Sequence, residues 1–123
     1  NTQQYQTITA YEADAIEINA KWVRHSFYVM PEQAPQPWQV NQFEQLSAQD
    51  FAAILALRPD VVILGTGTRQ RFIHPKLVTS LIEQRIGVES MDNQAACRTY
   101  NILMAEGRRV VLALILESSD AKA

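Results

Sequence analysis

Val61-Val62-Ile63-Leu64-Gly65-Thr66-Gly67 is the stretch whose reading decides the fold. Its first four residues are all apolar and three of them are β-branched. They offer no polar position to turn toward water, so a strand built from them has both faces covered. Pro59 stops any helix arriving from upstream. Gly65 and Gly67 end the strand in a tight turn. A strand covered on both faces belongs in a parallel sheet with helices on either side.

The flanking sequence agrees in both directions. Upstream, Ser47-Ala48-Gln49-Asp50 places a carboxylate three residues after a hydroxyl, a variant capping box. The helix it opens runs to about Leu57, with Phe51, Ile54 and Leu55 on one stripe. Downstream, Pro75 suits the first turn of a second helix with Leu77, Val78, Leu81 and Ile82 as its stripe. Gly87 is placed to stop that helix as a left-handed cap. Val88 to Met91 reads as a short strand. Asp92 is placed to cap a third helix that ends at Gly107, and Val110 to Leu116 reads as the last buried strand. The alternation is α-β-α-β-α-β, the pattern of an α/β fold with a mainly parallel sheet.

The first third is patterned differently. Thr7 to Tyr11, Ala15 to Asn19 and Val23 to Met30 are rich in Ile, Val, Thr, Phe and Tyr. They predict two or three antiparallel strands, turning near Glu12-Ala13-Asp14 and Ala20-Lys21-Trp22. This β-rich segment is expected to extend the main sheet or pack beside it. Pro31-Glu32-Gln33-Ala34-Pro35-Gln36-Pro37 reads as a linker, because proline is barred from helix interiors and central strands. At 123 residues the chain is one domain's worth, with fraying expected at 1–6 and 117–123.

Composition narrows the function classes. Apolar residues at 47% and charged residues at 20% exclude a disordered or fibrous chain. A net charge of −2 gives no reason to expect nucleic acid. No apolar run approaches the roughly 20 residues of a spanning helix, so no membrane insertion is expected. A single cysteine forbids an internal disulfide and fits a reducing compartment. The polar first residues lack a signal-peptide pattern. Charge is unevenly spread. Residues 1–68 carry three bases against seven acids, and residues 69–109 carry seven bases against four acids.

Ligands in open α/β sheets bind beyond the carboxyl ends of the parallel strands. Those ends lead into Gly65-Thr66-Gly67-Thr68 and Met91-Asp92-Asn93, which predict a cleft. Its candidate ligand-binding residues are Gly65, Thr66, Gly67, Thr68, Arg69, Arg98 and Asn101. Backbone N–H groups, hydroxyls and guanidinium forks suit a small anion. A dinucleotide fingerprint would need glycine at Gln70, and no Gly-Lys pair precedes Ser or Thr. On a helical wheel Ala95, Ala96, Thr99, Tyr100, Ile102 and Leu103 form the core arc of the third helix. Gln94, Cys97, Arg98 and Asn101 form the other side. A thiol beside a guanidinium is a candidate reactive group, although a lone cysteine is more often a small packed hydrophobe. The two histidines, His25 and His74, lie far from Cys97 in sequence and at no metal-ligand spacing; His74 suits a cap. Trp22 and Trp38 read as covers at the core edge. No catalytic set, metal site or cofactor site is assigned.

One resemblance is specific. Gly87-Val88-Glu89-Ser90-Met91, then Ala95-Ala96-Cys97-Arg98-Thr99-Tyr100-Asn101-Ile102-Leu103, then Glu106-Gly107-Arg108-Arg109-Val110 resembles the Mth938-like (DUF498) family. So does Val62-Ile63-Leu64-Gly65-Thr66-Gly67 followed by Phe72 and Pro75. The likeness covers about residues 8 to 116. Asn93 departs from the pattern, since family members often carry Thr there. The resemblance implies a three-layer α/β fold around a mixed sheet. It also implies kinship with a mitochondrial assembly factor for respiratory complex I and with a protein linked to adipocyte differentiation. The expected function is therefore a non-enzymatic binding or assembly-assisting module with respiratory subunits as protein partners. Its expected location is cytoplasmic in a prokaryote and mitochondrial in a eukaryote. The alternative is a small enzyme acting on an anionic or carbonyl substrate between Gly65 and Asn101.

Overall fold

A computed structural model describes residues 5–117 of the chain. The fraying expected at the termini falls on 1–4 and 118–123, outside the described residues, and on 5, 6 and 117, which are described. Three short strands come first: β1 (Ile8–Glu12), β2 (Ala15–Ile18) and β3 (Lys21–Val23), paired antiparallel in that order. β4 (Phe27–Met30) and β5 (Gln33–Pro37) form a hairpin. Then come a 3-10 turn (Phe43–Gln45), α1 (Ala48–Leu55) and β6 (Val61–Gly65). A second 3-10 turn (Pro75–Val78) runs into α2 (Thr79–Glu83), followed by β7 (Gly87–Met91), α3 (Asn93–Ala105) and β8 (Val110–Leu114).

The main sheet has the order β5-β4-β8-β6-β7. It is mixed: β6 lies parallel to both β8 and β7, while β4 is antiparallel to β8 and β5 antiparallel to β4. All five residues of β6 and of β8 are buried, as the apolar runs required. Side chains alternate between two apolar layers. Val61, Ile63, Val110, Leu112 and Leu114 face α3 and the three-stranded sheet, meeting Ala96, Tyr100, Ile8, Ile16 and Ile18. Val62, Leu64, Val111, Ala113 and Ile115 face α1 and α2, meeting Phe51, Ile54 and Leu81. This is the three-layer α/β architecture, and the β-rich segment both extends the sheet, through β4, and packs beside it, through β1–β3.

Several expectations need correction. The proline stretch is strand β5, not a linker. Its prolines are tolerated because β5 is an edge with one unpaired side. The turn expected at Ala20-Lys21-Trp22 is the two-residue turn Asn19-Ala20, and Lys21 and Trp22 belong to β3. The segment from Val23 to Met30 divides between β3 and β4. Gly87 does not stop the second helix. Arg85 takes the left-handed conformation, at φ 60°, and Gly87 opens β7. The wheel of the third helix is rotated: Cys97 is buried and Ile102 is 52% exposed. The Asn101 amide likewise faces β1 rather than solvent.

Candidate functional site

The connections after β6 and β7 leave toward opposite faces of the sheet, to α2 and to α3. That divergence opens a crevice at the strand ends in many α/β folds. In this chain one side chain fills it. Asn93, 2% exposed, accepts a hydrogen bond from the Gly67 N–H at 2.9 Å and donates to the Ile115 carbonyl at 2.9 Å. Its own N–H donates to the Gly67 carbonyl at 2.8 Å. Asn93 thus joins the chain just beyond β6, β7 and β8. The Thr66 N–H donates to the Met91 carbonyl, and the Thr66 hydroxyl lies 2.8 Å from the Arg69 carbonyl and receives the Arg71 N–H. A Cβ at position 65 would sit 2.5 Å from Asn93 Oδ1, so glycine is what lets the amide in.

The candidate residues therefore divide. Gly65, Thr66 and Gly67 come together, buried, and their polar groups serve the junction with Asn93 and Met91. Thr68 and Arg69 stand exposed at the turn, and Arg98 stands exposed on α3. Asn101 lies roughly 12 Å along the helix axis from Asn93, at 1.5 Å per residue. Its amide accepts from the Ile8 N–H at 3.0 Å and donates to the Ile8 carbonyl at 2.9 Å, which satisfies the outer edge of β1. Cys97, between them on α3, is 4% exposed, and burial pushes its thiol up to about 12. A nucleophile requires the opposite shift. The burial of Cys97 therefore works against the thiol chemistry expected from its neighbours in sequence. Burial likewise raises Tyr100, whose hydroxyl donates to the Gln6 carbonyl at 2.7 Å. His74 caps as expected, with Nδ1 accepting from the Lys76 N–H. Among the described residues no group of three His, Cys, Asp or Glu side chains is placed to hold a metal ion.

Two features escaped the sequence reading. A hollow of about 300 Å³ lies at the opposite end of the strands, lined in part by Met30, Glu32, Met104, Arg108 and Arg109. These residues come from distant segments, so no motif announces them. The Arg109 guanidinium there donates to the Arg58 and Leu57 carbonyls. The second is the loop after Thr66. Arg71 lies over the Phe43 ring and pairs with Glu44 at 2.6 Å, which holds that exposed carboxyl below its usual range. Phe72, next in line, is 82% exposed.

The family model described as a protein of unknown function (DUF498/DUF598) matches residues 8–115. The chain belongs to this family. Among solved structures, this DUF498 chain is similar to a Bordetella parapertussis protein, at 41% identity and a TM-score of 0.89, with 95% of this chain and 100% of that chain covered. A Bordetella pertussis protein described as an Mth938-like domain superposes with a TM-score of 0.82 at 34% identity, covering 96% of this chain and 91% of that one. The fold is thus the Mth938-like fold. A relative from Bos taurus, NADH dehydrogenase (ubiquinone) 1 alpha subcomplex assembly factor 3, is 29% identical over 110 residues. That match takes in 88% of this chain and 59% of the relative, so the chain spans less than two thirds of the relative's length.

Proposed function

We propose that this DUF498 chain is a non-enzymatic binding module that assists the assembly of a respiratory NADH dehydrogenase. The observation that carries the reading is the similarity, over 88% of the chain, to an assembly factor of that enzyme. The junction around Asn93 supports it, since the polar groups at the strand ends bind one another rather than converge on open space. The expected partners are respiratory subunits. The expected location is the cytoplasm in a prokaryotic cell and the mitochondrion in a eukaryotic one.

The test has two arms. A tagged protein in its native cell should recover NADH dehydrogenase subunits, and deletion should lower the amount of fully assembled enzyme on native gels. Unchanged assembly after deletion, together with no subunit recovered, would sink the reading.

A further inference from the structure

Phe72 is the most exposed of the large apolar side chains among the described residues. A phenylalanine on a loose loop would be free to fold back onto nearby apolar surface. This loop has little freedom to withdraw it. The Thr66 hydroxyl bridges the Arg69 carbonyl and the Arg71 N–H at 2.8 and 3.1 Å. The Gln70 amide donates to the Ser90 carbonyl on β7 at 2.9 Å. Arg71 lies over the Phe43 ring and pairs with the Glu44 carboxylate. Holding an aromatic ring in water forgoes the hydrophobic gain of burying it. A loop backbone tied down beforehand also loses little freedom when a partner covers the ring it carries.

The charges on the segment that carries Phe72 indicate the chemistry of that partner. No acidic residue lies between Asp60 and Glu83, whereas Arg69, Arg71 and Lys76 all fall in this interval. Glu44 takes up the charge of Arg71. The field of Arg69 also reaches Glu44 and lowers its carboxyl. Neither Arg69 nor Lys76 is in an ion pair among the described residues. An apolar knob flanked by unpaired bases is complementary to an apolar pocket with an acidic rim. Anionic lipid is the poorer match, because membrane recognition of this kind uses clusters of roughly four to eight bases.

We propose that Phe72 is the anchor of a protein-docking surface, and that its partner is a respiratory subunit presenting an apolar pocket rimmed by Asp or Glu. The proposal rests on the assembly reading and names the surface that performs it.

The experiment uses the full chain in its native cell. Phe72 is replaced by the photo-reactive residue p-benzoylphenylalanine, and Ile102, exposed on α3, is replaced likewise as the control. Crosslinked peptides are identified by mass spectrometry. Alongside, tagged wild type and the Phe72→Ser, Phe72→Trp and Arg69→Glu variants are compared for subunit recovery after thermal melts confirm that each is folded. Position 72 should crosslink to an NADH dehydrogenase subunit beside acidic residues, and position 102 should not. Recovery should fall at least tenfold in Phe72→Ser and in Arg69→Glu, and should stay within threefold in Phe72→Trp. Subunit recovery that is undiminished in Phe72→Ser would overturn the docking surface while leaving the assembly reading intact. Crosslinks from position 72 only to phospholipid or to a second copy of the chain would overturn it too. Failure of the wild type to recover any subunit would overturn both.

Discussion

Asn93 ties three strand ends together. Its amide has both a donor and an acceptor, and both are spent inside the protein at 2.9 Å. Asn93→Ala leaves a buried N–H and a buried carbonyl unpaired, which should cost about 2–4 kcal/mol in urea unfolding. Gly65→Ala forces a methyl against Asn93 Oδ1 and should cost about 1–3 kcal/mol by the same measurement. Cys97 gives a prediction with a pH sign. Its thiol titrates at an ordinary 9.0 when unfolded and about 12 when folded. Below pH 9 the thiol is neutral in both states, and no stability is lost. Between 9 and 12 only the unfolded chain gives up the proton, so stability falls on the order of 1 kcal/mol per pH unit. Tyr100 acts in the same direction at higher pH. Alkaline melts of Cys97→Ala should therefore fall less steeply than wild type over this window. Native Cys97 should also resist iodoacetamide up to pH 9, and fast labelling at pH 8 would contradict the burial.

At the level of elements, the capping box of α1 was readable and is present. The Ser47 hydroxyl accepts from the Asp50 N–H, and the Asp50 carboxylate accepts from the Ser47 N–H. Local bonds between residues three apart need no tertiary information. The β2–β3 turn was not readable, and the reason is chemical. Asn19 and Ala20 both have positive φ, at 49° and 69°, as a two-residue hairpin turn requires. Sequence signals that turn as Asn-Gly, and here alanine stands in the strained place. Ala20→Gly should therefore raise stability by about 0.5–1 kcal/mol, read as a higher melting temperature. A drop would mean that the turn holds Ala20 by contacts beyond its backbone. The proline stretch was misread for a related reason. Proline forbids a central strand, but whether a strand is central depends on strand order, which pattern does not reveal.

At the level of the whole molecule, α3 is the piece that joins the two sheets. One side packs on β6 and β8, and another reaches β1 through Asn101 and the segment before β1 through the Tyr100 hydroxyl, which donates to the Gln6 carbonyl. Asn101→Ala should cost about 1–3 kcal/mol. It should also lower amide-exchange protection across β1–β3 before β6 and β8 lose theirs; uniform loss would mean that the sheets unfold as one unit. The sequence alone determined the α/β class, the two-sided burial of β6 and β8, the caps of α1 and α3, and the family. Each follows from periodicity, local capping chemistry or residue order, which are properties of neighbouring residues. The tertiary structure alone decided that the strand-end crevice is filled by Asn93, that Asn101 holds β1 and that Cys97 is buried. It also decided that Phe72 stands exposed. Those outcomes depend on which remote groups meet: a side chain's type limits what it can bond, and only the packing determines whether a partner is within 3 Å.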